Sequence, residues 1–151
     1  MVIRERYGAT FEMTPLGYQF ESGVPDRHDL NRLRIQVRIS GPDGTRSAAD
    51  SCLLTWELRE LHQWLRLCAS SEVGTAEPML DFLEPELAFE FVGGDPMLLR
   101  VETTAAQNPG ANESGPRDRR VVNLVLSPEE LLNAANQLEL EASRYPERSL
   151  P

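Results

Sequence analysis

The chain has no lysine: all 15 basic side chains are arginine, from Arg4 to Arg148. That excludes a Schiff-base lysine, a P-loop lysine and acylated-lysine chemistry. Histidine and cysteine are almost as scarce, with only His28, His62, Cys52 and Cys68 in 151 residues. Their spacing fits none of the zinc patterns, and His62 with Glu60 or Cys52 makes a ligand set only if the fold brings them together, so no metal site is expected. There is no Gly-x-Ser-x-Gly elbow, and Gly93-Gly94 lacks the further glycines and the helix of a phosphate loop. Apolar runs of about 18 residues are also missing, which excludes a spanning helix. The opening Met1-Val2-Ile3-Arg4-Glu5-Arg6 puts charge where a signal peptide needs its apolar stretch. A cytoplasmic protein without disulfide, cofactor or membrane contact is expected.

Negative charge, by contrast, is plentiful. With 24 acidic side chains against 15 basic ones the net charge is −9. Such a field repels phosphate, so direct binding to nucleic acid is not expected and a basic partner is the natural complement. The chain is 40% hydrophobic, enough for one core, and a single domain over residues 1–151 is expected.

Alternation and turn chemistry give the elements. Residues 9–21 read as a hairpin turning at Thr14-Pro15-Leu16-Gly17, and Glu21 to Asp29 as a loop. Leu33, Ile35, Val37 and Ile39 alternate with Arg34, Gln36 and Arg38 in the clearest strand, and a weaker strand follows between Thr45 and Leu54. Thr55 is a candidate cap for a helix over about 55–71, striped by Leu58, Leu61, Leu65 and Cys68. Strands at Met79–Leu83, Leu87–Val92 and Leu98–Glu102 follow. If the last two pair so that Phe91 meets Leu99, Phe89 meets Val101 and Glu90 meets Arg100, the apolar pairs share one face. Residues 105–119 read as a mobile loop. The nearly continuous apolar run from Arg120 to Leu126 reads as a central strand. Ser127-Pro128-Glu129-Glu130 is a capping box that opens a helix over about 128–145. The sum is an α+β fold: a curved, mainly antiparallel sheet of six to eight strands packed with two helices.

Charge is concentrated between Glu77 and Glu102, where seven acids face one base, Arg100. Solvated sheet faces are often charged, and a pair of these carboxylates could serve a hydrolase. An acidic face can equally steer a basic partner, with Asp81, Glu84, Glu86 and Glu90 as contact candidates and Trp56 and Trp64 as candidate anchors.

Two stretches, Leu58-Arg59-Glu60-Leu61-His62-Gln63-Trp64-Leu65 and Asp81-Phe82-Leu83-Glu84-Pro85-Glu86-Leu87-Ala88-Phe89-Glu90-Phe91, resemble bacterial immunity proteins of the WapI type. The strand and helix from Val121 to Tyr145 follow in the same order, so the layout agrees over residues 30–146. The resemblance implies a cytosolic antitoxin: a stoichiometric inhibitor of a polymorphic toxin, often a nuclease, with no catalysis of its own. Three readings stand at this point. They are an immunity protein, a non-catalytic interaction module with another partner, and a carboxylate-based hydrolase.

Overall fold

The computed structural model describes residues 1–21, 23–42, 44–70, 78–84, 87–94, 96–105 and 118–150, the side chains of 50–52, 105 and 118 excepted. It is an α+β structure whose strands pair antiparallel throughout. The first sheet comprises β1 (Val2–Arg4), β2 (Thr10–Tyr18), β3 (Arg32–Gly41) and β4 (Gly44–Leu54), in that order. The second comprises β5 (Met79–Asp81), β6 (Leu87–Gly93), β7 (Met97–Ala105) and β8 (Asp118–Leu126), again in chain order. A short helix α1 (Arg27–Asn31) precedes β3, while α2 (Thr55–Ala69) follows β4 and α3 (Pro128–Arg144) follows β8. The strands therefore divide between two sheets where one curved sheet was expected. The 15-residue α2 carries the chain away from the β4 edge before β5 begins. Apart from α1, four strands followed by a helix thus occur twice.

Burial welds the halves into one core. Phe11 of β2 and Phe89 of β6 meet edge to face, ring centroids 5.8 Å apart, and both are fully buried. Phe82 and Trp64 pack on the same Phe89 ring. The helical stripe of Leu58, Leu61, Leu65 and Cys68 joins them, together with Leu131, Ala135 and Leu138 of α3. Trp64 is therefore a core residue. Large aromatic rings bury much apolar area per side chain, so this junction contributes to cohesion between the sheets.

The proposed register is present: Phe91 pairs with Leu99, Phe89 with Val101 and Glu90 with Arg100. The α3 capping box is present too, the Ser127 hydroxyl accepting from Glu130 N at 3.2 Å and the Glu130 carboxylate from Ser127 N at 2.7 Å.

Other local expectations fail for physical reasons. Thr14 to Gly17 is not a turn, because β2 runs straight through it with a bulge between Pro15 and Gly17. Pro15 lies beyond the short β1, where β2 has no partner on that side and needs no donor. Gly17, at φ +141°, supplies the backbone freedom the bulge requires. The first strand is instead Val2–Arg4. Arg27–Asn31 form a helix, capped by Asp26, whose carboxylate accepts from His28 N and Asp29 N at 2.8 and 3.1 Å. β8 is not central but the last strand of its sheet, with Val121 43% exposed beside buried Val122. The loop expected over 105–119 gives up its ends to β7 and β8, and residues 106–117 lie outside the described residues.

Thr55 is the first residue of α2 rather than its cap; Leu54 takes the cap position and the Glu57 carboxylate accepts from its amide at 2.7 Å. The Thr55 hydroxyl donates to Asn31 Oδ1 instead, at 3.2 Å. Asn31 is completely buried and binds the C-terminal segment like a strand partner, taking Arg148 N at 2.7 Å and giving to Arg148 O at 2.9 Å. Replacing Asn31 with Ala leaves several buried groups without partners. A loss of about 2–4 kcal/mol in urea-unfolding stability is expected, while Ser149→Ala, at an exposed neighbouring position, should change little.

Candidate partner-binding surface

The acidic segment begins at the end of β5, where Asp81 is exposed and pairs in register with Ala88, two residues from the Met79–Glu90 pair. Alternation therefore places Asp81 and Glu90 on the same outer face of the second sheet. Glu90 is partnered by Arg100 at 3.5 Å, and Glu102 next along β7 is partnered by Arg119. Met79, Val92 and Val121 lie exposed among them. This face is mixed, and arginine answers most of its carboxylates.

Glu84 is elsewhere. It turns to the guanidinium of Arg32, at the start of β3, which also lies 3.5 Å from Asp29. Leu83 beside it donates its amide to Glu57 Oε1 at 2.7 Å. The segment is thus pinned to the first turn of α2 through Glu57 and to the first sheet through Arg32. Glu86 lies outside the described residues. Of the four candidate acids, the structure brings Asp81 and Glu90 together and directs Glu84 away from them.

Close to that pinned turn, one of the two candidate anchors, Trp56, gathers neighbours that the residue pattern alone did not single out. Trp56, one position before Glu57, stays half-buried at the surface. The Arg27 guanidinium lies over its ring, 5.0 Å from the centroid, and the His28 ring meets it edge-on at 5.5 Å. Arg27 is held in turn by Glu147, its Nε donating at 3.2 Å. The amide of Asp29, donating to the Asp26 carboxylate, keeps that group's pKa below the ordinary value. The charged form therefore persists to lower pH than in an ordinary aspartate; the cap's contribution to stability is complete above the ordinary aspartate pKa and is lost as pH falls through the lowered value. A missed signal existed: Asp26 two residues before His28 is an N-cap pattern.

Little here suits chemistry. Burial pushes the Cys68 thiol up to about 12, so at neutral pH it is an uncharged sulfhydryl and a poor nucleophile. His62 faces Glu139 of α3 at 3.9 Å rather than Glu60, and the Cys52 side chain is outside the described set. Among the described residues no three His, Cys, Asp or Glu side chains converge to hold a metal ion, and no described helix is long and apolar enough to cross a membrane. A groove of about 410 Å3 between β1 and α3 has one carboxylate in its lining, Glu130, already engaged in the α3 cap.

Bracing and solvated acids should differ measurably. Glu84→Gln removes the charge opposite a guanidinium that is only 23% exposed, so a loss of about 1 kcal/mol is expected. Asp81→Asn and Glu90→Gln should each change unfolding free energy by less than about 0.5 kcal/mol. Equal effects at all three positions would contradict the distinction.

No individually curated protein is significantly similar to the chain. The sequence pattern of the immunity protein WapI-like family matches residues 2–146, which takes in both sheets, all three helices and the acidic segment with its pinning contacts. The chain belongs to the immunity protein WapI-like family, the antitoxins of polymorphic toxin systems.

Proposed function

We propose that this immunity protein acts in the cytoplasm, without chemistry of its own, by binding its cognate toxin one to one and covering the surface through which the toxin reaches its substrate. The toxin is a basic protein, and a nuclease is the fitting class, because a surface that holds phosphate must be positive. The observation that carries this reading is the net charge of −9 in a chain of this family. A field of that sign raises the encounter rate with a basic partner even where individual carboxylates are locally paired. Asp81, Glu84, Glu86 and Glu90 lie on the segment where the sequence concentrates that charge, and Asp81 and Glu90 present it on an open sheet face.

The test is the association rate with the cognate toxin domain. Asp81→Asn, Glu86→Gln and Glu90→Gln combined should slow association several-fold, to about tenfold, at low salt. The difference should vanish near 0.5 M salt, where the screening length is roughly 4–5 Å. Dissociation should change little. An association rate that neither the triple change nor salt alters would sink the steering role of these residues.

A further inference from the structure

We propose that the toxin is anchored at the surface around the first turn of α2, centred on Trp56 and Leu83 and bordered by Arg27, His28, Asp29 and Glu84. This inference rests on the immunity reading above and names the place where the bound partner is held, as distinct from the field that draws it in.

Three observations converge on this surface. The first is composition. Of the two tryptophans, Trp64 is in the core at 5% exposure, whereas Trp56 is left half-buried beside an arginine and a histidine. Leu83, 60% exposed, hangs from a backbone amide fixed to Glu57, the residue after Trp56. Tryptophan and arginine dominate the few residues that carry most binding energy at protein interfaces.

The second is pre-organisation. The Trp56 ring is bounded by Arg27 and His28, Arg27 is tied to Glu147, and the Glu84 side of the surface is tied to Arg32. Side chains already fixed lose little conformational freedom when a partner arrives. The third is charge. Asp26, Asp29, Glu84 and Glu147 surround Arg27 and Arg32, both already paired within the chain, so the surface retains a negative surplus that fits a basic partner. The outer face of the second sheet is less favoured. Its exposed Met79, Val92 and Val121 sit among carboxylates that Arg100 and Arg119 largely neutralise. The exposed Leu132 and Leu140 of α3 have no aromatic neighbour among the contacts described.

The experiment measures association and dissociation rates of the full chain with the cognate toxin domain at physiological ionic strength. Trp56→Ala and Leu83→Ser should each speed dissociation about tenfold or more and leave the association rate within about twofold. Leu140→Ser, at a comparably exposed position of α3, should leave both rates unchanged. Melting curves check that the variants are folded, and Leu83→Ser keeps the test decisive should Trp56→Ala unfold. Tight association that both variants leave unaltered overturns this inference and leaves the immunity reading standing. Self-association of the chain alone, abolished by both variants in sedimentation, overturns it by giving the surface to a second copy. No association of the unaltered chain overturns the immunity reading and this inference with it.

Discussion

The rest of the structure depends on one buried carboxylate. Glu57, at 5% exposure, accepts the amide of Leu54 through one oxygen and the amide of Leu83 through the other, both at 2.7 Å. The first bond caps α2 and so fixes where the first sheet hands over to the helix. The second fixes the connection between β5 and β6 of the second sheet. A carboxylate in this position satisfies two donors that would otherwise be stranded away from water, a penalty comparable to a large part of a domain's net stability. Glu84 on Arg32 and the Phe11–Phe89 contact close the same seam. The C-terminal segment completes it through Asn31, with the Arg148 guanidinium stacked 3.4 Å from the Tyr18 ring centroid.

A consequence is that negative charge has two roles in this molecule. Many acids that read as a surface surplus are structural: Asp26 and Glu130 cap helices, Glu57 and Glu84 hold the seam, and Glu5 accepts from the amide of Tyr7 in a turn. Pairing cancels their short-range attraction for a partner. It does not cancel the net charge, because the arginines are too few. Long-range attraction therefore belongs to the molecule as a whole, while adhesion needs local shape and desolvation. These requirements fall on different residues, which is why steering and anchoring separate along the chain.

The sequence made the regular parts legible. Alternation located β3, β6 and β7, and a register was deducible because a one-residue slip would have turned Phe89 and Phe91 outward. The capping box at Ser127 named the start of α3 because its signal is wholly local. What stayed hidden depended on distant partners. Pro15-Leu16-Gly17 carries turn residues, yet the neighbouring β3 stretches it into a strand. β8 carries Val121 and Val125 on its outer face as well as Val122, Leu124 and Leu126 on its inner one, without being central. The division into two sheets was not readable because each strand's pattern is the same in either arrangement. At the candidate surface, the sequence marked the acids but could not tell a brace from a solvated carboxylate, since only the fold brings Arg32 to Glu84. Trp56 and Trp64 look alike in composition, and seven residues of helix separate the surface ring from the buried one.

Backbone hydrogen exchange, compared between the chain alone and its complex with the toxin domain, tests the central claim most directly. Protection is expected around residues 26–31, 54–58 and 80–84, with weaker changes along the outer face of the second sheet. Protection confined to the outer face of the first sheet, around Arg34 and Arg38, with none near Trp56, would contradict the account.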